Sequence, residues 1–192
     1  MTPLDPAALN TEGGFRAFCD RPASDVAPEL LGATLLHGGV GGIVVETEAY
    51  EHDDPASHSF AGRTVRNGAM FGQPGTAYVY RSYGLHWCFN VVCCPGSAVL
   101  IRAIEPTHGV DEMIRRRGID DPRRLCAGPG RLCQALAIDG GLDGHPLNRT
   151  DLVLSPALQA QHIAGPRIGI SKAVDLHRRY GLAGSRFLSR RF

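Results

Sequence analysis

The sequence predicts an α+β fold: a single compact domain in which a curved, mainly antiparallel β-sheet is flanked by short helices. The 192 residues include 24 glycines and 13 prolines. The longest run without either, residues 43–54, is only twelve residues long, which excludes long helices, coiled coils and helical repeats. Apolar runs of strand length recur between these interruptions. With 43% hydrophobic residues the chain can bury a sizeable core, and its length fits one domain better than two.

Four runs rich in β-branched and aromatic residues are predicted strands: residues 43–50, 76–83, 85–94 and 98–104. Glycines at positions 38, 39, 41 and 42 precede the first run and match neither common phosphate-binding loop, so they predict a hairpin turn. The predicted helices are short and cover residues 110–117, 131–138 and 157–163. We expect residues 1–27 to form an N-terminal arm or helix on the surface, and residues 28–192 to form the rest of the one domain.

Residues 82–101 contain no Asp, Glu, Lys or Arg and are long enough to cross a bilayer. His86, Asn90 and the adjacent Pro95 and Gly96 would then lie inside the membrane, so the stretch is instead predicted to form strand, turn and strand. The N-terminus lacks the basic patch and apolar core of a signal peptide. We therefore expect a cytoplasmic protein with no membrane association.

The six cysteines are irregularly spaced and include no C-x-x-C pair. This pattern suits neither a disulfide scaffold nor a metal site. We interpret the cysteines as small buried hydrophobic side chains and expect no bound metal.

Charge is distributed unevenly along the chain, although the formal net charge is only +1. Residues 1–57 carry two basic and ten acidic side chains, whereas residues 58–192 carry eighteen basic and nine acidic ones. This asymmetry indicates an anionic partner for the second part. The arginine-rich stretches at 115–124 and 186–191 are open to two interpretations, a solvated helix face or contacts with phosphates.

Two carboxylates and an aromatic ring share one face of the first predicted strand, because side chains alternate between faces. One face carries Ile43, Val45, Thr47 and Ala49, and the other Val44, Glu46, Glu48 and Tyr50. Periodicity alone favours an exposed strand face for Glu46 and Glu48. The alternative is a pair of carboxylates in apolar surroundings, where raised pKa values suit acid–base chemistry.

Three of the five tyrosines lie within six residues, with Tyr78 and Tyr80 on one strand face and Tyr83 at the following turn. Such a cluster fits the rim of a core, and it also fits a surface that stacks on nucleobases. Asn90 needs hydrogen-bond partners if it is buried. Arg102, within an apolar strand, needs a carboxylate, a ring face or a ligand, and an ion pair with Glu46 or Glu105 is the simplest choice.

Several long blocks carry a family resemblance when they are taken in order. They are ETEAYEHDDPASHS (46–59), MFGQPGTAYVYRSYGLHWCFNVV (70–92), VLIRAIEP (99–106) and GPGRLCQALAI (128–138), followed by PRIGISK (166–172). Together they strongly resemble the alkyladenine (3-methyladenine) DNA glycosylase family, of the type without a helix-hairpin-helix motif. The resemblance implies a base-excision-repair enzyme that flips an alkylated purine out of duplex DNA and hydrolyses its N-glycosidic bond.

The resemblance also implies roles for the residues singled out above. Glu48 matches the general base that activates a water, and Arg102 the arginine that helps to hold this water. Tyr50 and Tyr80 match the rings that sandwich the flipped base. His58 matches the histidine at the hydrogen-bonding edge of the pocket.

Two further positions match residues that act on the DNA duplex and on base selection. Tyr83 matches the wedge that enters the minor groove and fills the gap left by the extruded nucleotide. Asn90 matches an asparagine that rejects normal guanine by clashing with its 2-amino group. His86 departs from the family pattern, because an aromatic residue often follows the wedge there. From their position after His58, Arg63 and Arg66 are predicted contacts with the DNA backbone.

The single lysine, Lys172, lies outside the Glu48 segment. A glycosylase with lyase activity needs an amine that forms a Schiff base, so we expect a monofunctional, water-using enzyme that leaves an abasic site. The resemblance implies no metal or organic cofactor. The expected partner is double-stranded DNA containing damaged purines, with the enzyme acting as a monomer associated with the nucleoid.

Two alternatives remain at this point. A non-catalytic nucleic-acid-binding β domain would use the tyrosines and arginines only for recognition. A small-molecule hydrolase would use Glu46 and Glu48 as paired carboxylates. The breadth of substrates also stays open: 3-methyladenine alone, or additionally 7-methylguanine, hypoxanthine and ethenoadenine.

Overall fold

A computed structural model describes residues 11–147, 152–155 and 160–192. The helices are α1 (Glu12–Cys19), α2 (Ala23–Glu29), α3 (Val110–Arg117), α4 (Pro122–Leu125) and α5 (Pro129–Leu136), with short 3-10 helices at Gly68–Phe71 and Gly140–Leu142. The strands are β1 (Thr34–His37), β2 (Val40–Tyr50), β3 (Ala77–Ser82), β4 (His86–Val92), β5 (Ala98–His108), β6 (Leu152–Ser155), β7 (His162–Gly165) and β8 (Arg179–Leu182). The predicted α+β class is confirmed.

The strands form one curled sheet in the order β3-β4-β5-β2-β1-β6, with β8 joined to β2 and β7 joined to β8. Every pairing among these strands is antiparallel. Strand β2 is central: β5 follows almost its whole length on one side, while β1 and β8 share its other side. Residues near the C-terminal end of β2 therefore have a strand on both sides.

The turn between β1 and β2 has two residues, Gly38 and Gly39, at φ of +56° and +77°. This left-handed backbone suits a tight hairpin and is accessible to glycine at little cost. The predicted turn is confirmed, but Gly41 and Gly42 belong to β2 instead. A Cβ atom on either would lie within 2 Å of a carbonyl oxygen of a neighbouring strand, so glycine there permits close backbone approach.

The main hydrophobic core lies against one face of the sheet and includes Val79, Phe89, Val99 and Ile101. It also takes in buried side chains of α1 and α2, among them Phe15 and Phe18. The segment expected on the surface therefore contributes to the core from Phe15 onward, and α2 runs through position 28 without a break.

The strand and helix predictions are largely confirmed. Residues 82–101 form the end of β3, then β4, a turn through Pro95 and Gly96, and the start of β5, so the predicted strand-turn-strand is confirmed. Helix α3 coincides with the prediction for 110–117, and α5 begins two residues before the predicted 131. Among the described residues, no helix is both long and apolar enough to span a membrane.

The third predicted helix, residues 157–163, is wrong at its C-terminal end. Residues 156–159 lie outside the described part of the chain, but His162 and Ile163 belong to strand β7. They pair with Leu182 and Gly181 of β8. Hydrogen bonds to a strand that is distant in sequence override a weak local preference for helix.

Candidate active site

A row of four residues crosses the sheet on the face opposite the main core. Glu48 of β2 lies opposite Leu100 of β5, Leu100 opposite Asn90 of β4, and Asn90 opposite Tyr78 of β3. Directly opposed residues point to the same face of a sheet. The register therefore places these four side chains on one surface, and Tyr50, Tyr80 and Cys88, each two residues along a strand, join them.

Arg102 lies two residues after Leu100 on β5, which places it on the same surface, and a β-bulge occurs at its position. Glu46 pairs with Ala103 and Thr47 with Ile101, so Arg102 has no partner directly opposite it. A second irregularity between Val44 and Glu46 places Val44 in the main core, and the strict alternation predicted for residues 43–50 is wrong at this point. Bulges redirect side chains in this way.

Glu48 has no solvent exposure, and the prediction of an exposed strand face for Glu46 and Glu48 is wrong. The backbone N–H of Ile168 donates to Glu48 Oε1 at 2.8 Å, and the Tyr50 hydroxyl donates to Oε2 at 2.8 Å. Arg102 Nη1 lies 3.3 Å from Oε1. Burial raises the pKa of Glu48, and the Arg102 charge and these hydrogen bonds offset part of the rise.

Tyr50 is held from two directions. Its hydroxyl is bound to Glu48, and the guanidinium of Arg167 lies 4.7 Å from its ring centroid. Arg167 is fully buried, pairs with Asp54 and donates to the Ala49 carbonyl at 3.0 Å. Although burial acts to raise the pKa of Asp54, hydrogen bonds from Arg167 and the Ala56 N–H hold it below its usual value. The ring is thus fixed beside the carboxylate.

Three rings form the facing wall. Tyr78 and Tyr80 are stacked with centroids 5.3 Å apart, as predicted from their shared face, and His58 meets Tyr80 edge-on at 4.4 Å. His58 Nδ1 and the Tyr78 hydroxyl share a hydrogen bond of 3.0 Å. Partial burial lowers the pKa of His58, so the neutral ring dominates at neutral pH.

Asn67 anchors the loop that carries His58. Its buried amide nitrogen donates to the carbonyls of His58 and Gly62, at 2.8 and 3.0 Å, and its oxygen accepts from the N–H of Thr64 at 2.6 Å. The contacts tie both ends of the loop together, which fixes the ring of His58 against Tyr80.

Asn90 lies in the buried floor of the site and donates through Nδ2 to the Tyr78 carbonyl at 2.9 Å. This bond supplies the partner that a buried Asn requires. It also fixes the orientation of the amide beside Leu100 and Cys88.

Tyr83 projects from the hairpin between β3 and β4, and the residue is 87% exposed. Its φ is +50° and that of Gly84 is +69°. Three residues, 83–85, connect the paired Ser82 and His86, and positive φ at the first two favours Gly or Asn there. A tyrosine here costs backbone strain, and such strain is common at functional sites. Next to the turn, His86 is exposed and packs against Gly130 of α5.

Most of these residues line one large cleft of about 1630 Å³, and the buried Glu48 lies directly behind Tyr50, Arg102 and Ile168 of its wall. Its walls carry six basic side chains besides Arg102: Arg66, Arg81, Arg117, Arg131, Lys172 and Arg190. Within the described part of the chain, no Asp or Glu side chain lines the cleft. Arg63 is exposed on the same loop as Arg66 but lies outside the cleft wall.

The structure thus brings together Glu48, Arg102, Tyr50, His58, Tyr80 and Asn90, with Tyr83 at the rim. Sequence reasoning assigned no role to Arg167 or to the Ile168 N–H, although both lie in the PRIGISK block, nor to Arg179 and Ser189, which lie beyond the blocks that carry the resemblance. The ion pair predicted between Arg102 and Glu46 is present, with Nε and Oε1 3.6 Å apart. The available signal was the arginine pair before Tyr180, whose charges needed partners.

Five of the cysteines are buried and Cys94 is half-buried, and all six are free, in agreement with their interpretation as small hydrophobic side chains. Burial raises the pKa of Cys88, which borders the cleft, to about 11. Across residues 11–147, 152–155 and 160–192, no group of three or more His, Cys, Asp or Glu side chains could hold a metal ion.

Comparison with known proteins agrees with this geometry. Residues 17–186 match the family described as methylpurine-DNA glycosylase (MPG). A Rhodopseudomonas palustris protein named "Putative 3-methyladenine DNA glycosylase" is 59% identical over 181 residues, covering 92% of this chain and 88% of its own. Proteins of the same name from Agrobacterium fabrum and Nitrosospira multiformis are 58% and 59% identical, covering 92% and 88% of this chain and 92% and 89% of their own. The chain therefore belongs to the methylpurine-DNA glycosylase family.

Proposed function

We propose that this DNA glycosylase flips an alkylated purine out of duplex DNA and hydrolyses its N-glycosidic bond with a water activated by Glu48. One observation carries the proposal: a buried carboxylate lies directly behind an arginine and a tyrosine that line a cleft with aromatic walls, a basic lining and an exposed tyrosine at its rim. The geometry combines a general base, a stacking pocket and a surface for a polyanion.

The chemical step requires a proton acceptor at the sugar. Water forms a bond to C1′ and gives its proton to Glu48, while the electron pair of the C1′–N bond leaves with the base. Methylation at N3 makes adenine cationic, so the departing base is neutral and needs no added proton. Arg102, 3.3 Å from Glu48, favours the ionised carboxylate and helps to hold the water.

Binding of the base relies on rings that are fixed before DNA arrives. Tyr50 is held by Glu48 and Arg167, and Tyr80 by Tyr78 and His58. Fixed rings lose little conformational entropy when a base stacks between them. Neutral His58 serves the edge of the base as a hydrogen-bond partner. Asn90, whose amide is oriented by the Tyr78 carbonyl, excludes the 2-amino group of guanine.

Extrusion of a nucleotide costs a few kcal/mol in lost stacking and pairing, which a wedge and a stacked pocket must offset. Tyr83 stands clear of the surface on a tight hairpin and fits the wedge role. The basic walls hold the flanking phosphates. Substrates with neutral bases, such as hypoxanthine and ethenoadenine, need protonation on leaving, and neutral His58 is poorly suited to supply it. We therefore propose 3-methyladenine as the preferred substrate, with 7-methylguanine, which is also cationic, next.

The decisive experiment measures release of free base from a duplex oligonucleotide with one damaged purine. Because a positioned general base contributes about 10²- to 10⁴-fold, Glu48→Gln is expected to lose at least about a hundredfold in single-turnover rate while duplex binding persists. Glu51→Gln is the matched control, since Glu51 is a buried carboxylate that accepts from the Ser24 N–H away from the cleft. Equal rates for Glu48→Gln and wild type would overturn the proposal.

We further propose that the enzyme is monofunctional. The only lysine, Lys172, is exposed in the cleft wall, so its amine is the side chain to test for lyase chemistry. Incubation with abasic duplex and borohydride should trap no covalent protein–DNA complex, with Lys172→Ala as the reference. A trapped complex that disappears in Lys172→Ala would show lyase chemistry at this amine.

A further inference from the structure

Glu46 is a buried carboxylate that the reaction does not use directly, although it lies only two residues before Glu48. It has no solvent exposure. Arg179 Nε donates to its Oε1 at 2.7 Å, the Ser189 hydroxyl donates to Oε1 at 2.9 Å, and the Ser189 N–H donates to Oε2 at 2.5 Å. With both oxygens engaged, Glu46 is poorly placed to take a proton from water, which points to a different role.

Arg102 lies between Glu46 and Glu48. Its Nε is 3.6 Å from Glu46 Oε1, and its Nη1 is 3.3 Å from Glu48 Oε1. Among the described residues, Arg102 Nε is buried and has no hydrogen-bond acceptor within bonding distance. The orientation of the guanidinium is therefore set by two charges and not by directional hydrogen bonds, so it depends on where Glu46 is held.

Residues 189–192 hold Glu46 from the far side. Besides the two bonds from Ser189, Arg179 Nη2 donates to the Arg190 carbonyl at 2.6 Å, and the Arg179 guanidinium lies 3.9 Å from the Phe192 ring centroid. Arg179 is itself buried. Ser189 and Arg190 also line the cleft. The segment lies beyond residues 17–186, which the family match covers.

We propose that Glu46 is a positioning residue, and that Arg179 and residues 189–192 form a clasp that holds Glu46 so that Arg102 is aligned with Glu48 and the reacting sugar. The inference rests on the proposed function of Glu48 and Arg102. It assigns to this clasp a share of the catalytic rate with little share in DNA affinity. Because two residues of the clasp line the cleft, DNA that docks there meets the segment that sets the alignment.

The test compares Glu46→Gln and Ser189→Ala with two matched controls, Glu51→Gln and Ser185→Ala. Ser185 lies four residues from Ser189 and accepts from the Phe187 N–H, not from the cleft residues. Single-turnover base release is measured against enzyme concentration, which separates the maximal rate from the half-saturating concentration. Since hydrogen bonds to charged groups are the stronger ones, each test variant is expected to lose about tenfold in maximal rate with unchanged half-saturation.

The pH profile of Glu46→Gln distinguishes positioning from general damage. Glu48 is faced by Arg102 from β5, by Glu46 and Tyr50 from β2 and by the Cys88 thiol from β4. The negative charge of Glu46 raises the pKa of Glu48. Its removal leaves Arg102 paired with Glu48 alone, so the acid limb of the rate profile is expected to move to lower pH.

The outcomes separate cleanly. A lower maximal rate with a shifted acid limb in Glu46→Gln, and a lower rate in Ser189→Ala, supports the clasp. The clasp is overturned if both test variants have the same maximal rates as the controls. It is also overturned if Glu46→Gln lowers the maximal rate without moving the acid limb of the pH–rate profile. If Glu46→Gln does not fold, Ser189→Ala decides by its maximal rate alone. Absence of base release by wild type in the same assay would instead contradict the proposed function.

Discussion

At the scale of single residues, burial acts on two ionisable side chains of the cleft in opposite directions. It raises the pKa of Glu48 and lowers that of His58, because a poorly solvated environment disfavours the charged form of each. The charge of Arg102 and the hydrogen bonds from Ile168 and Tyr50 offset part of the rise in the pKa of Glu48. The carboxylate thereby gains basicity while it stays within reach of ionisation, which suits a general base.

The pH dependence of base release follows from these directions. The proposed reaction requires ionised Glu48, so the rate should fall as pH decreases through a pKa above the ordinary glutamate value. Arg102→Gln removes the main charge that favours the carboxylate, so the acid limb should move to higher pH and the plateau should drop. Arg81→Gln, a cleft arginine outside the Glu48 cluster, is the control. The measurement is single-turnover rate against pH, and an acid limb unmoved in Arg102→Gln would contradict the assigned coupling.

At the scale of elements, the β3–β4 hairpin combines a rigid base with a strained tip. Its strands pair from Ala77 and Val91 to Ser82 and His86, and the outer edge of β3 is held by the Asp143 side chain, which accepts from the Val79 N–H at 2.8 Å. Only Tyr83 and Gly84 have left-handed backbone at the tip. A tyrosine on such a support can push into a duplex without bending away.

The wedge role of Tyr83 predicts a defect that depends on base pairing. Tyr83→Ala should release an alkylated purine from duplex DNA about tenfold or more slowly, since it forfeits part of the few kcal/mol needed for extrusion. The same lesion in a single strand, where no pair has to be opened, should be released with little loss. Leu85→Ala, an exposed apolar neighbour on the same hairpin, is a useful comparison. An equal loss on both substrates would argue for a role in chemistry instead.

At the scale of the whole molecule, positive charge is concentrated where the site opens. The net charge of +1 conceals this concentration, because residues 1–57 carry ten of the nineteen acidic side chains and only two basic ones. All six arginines that line the cleft come from later in the chain. Arg117 illustrates the crowding: burial and the nearby charges of Arg131 and Arg124 lower its pKa. Like charges held close together are compensated when a phosphate binds between them.

Salt dependence of duplex binding tests this surface. Removal of one phosphate-binding side chain should reduce the slope of log K against log salt by about 0.9. Charge reversal at Arg66, and at Arg63 on the same loop, is expected to weaken binding to damaged and undamaged duplex alike and to lower the slope. Arg123→Glu provides the control, because Arg123 is exposed and does not line the cleft. If a charge-reversal variant keeps the wild-type duplex affinity and salt slope, the substituted arginine does not contact DNA phosphates.

The sequence by itself determined the local features of this protein. The strands at 76–83, 85–94 and 98–104, the β1–β2 turn and helix α3 could be predicted because glycine placement, alternation and helical periodicity act within a few residues. Four of the seven residues that the resemblance selected, Tyr80, Tyr83, Asn90 and Arg102, lie on β3, β4, β5 and the short connections between them, so their register follows from local pairing. Glu48 and Tyr50 precede the long connection through residues 51–76, and His58 lies on it. These three join the site through the pairing of β2 with β5 and the packing of that loop.

Only the tertiary structure decided how the carboxylates of Glu46 and Glu48 are surrounded. The irregularity between Val44 and Glu46 breaks the predicted alternation, and the burial of Glu46 contradicts the exposed face that this alternation favoured. The Ile168 N–H, which donates to Glu48, lies 120 residues from it in the sequence. Arg179, which donates to Glu46, lies 133 residues from it. No local pattern encodes such contacts, because a buried charge selects its partner by desolvation and distance after the chain has folded.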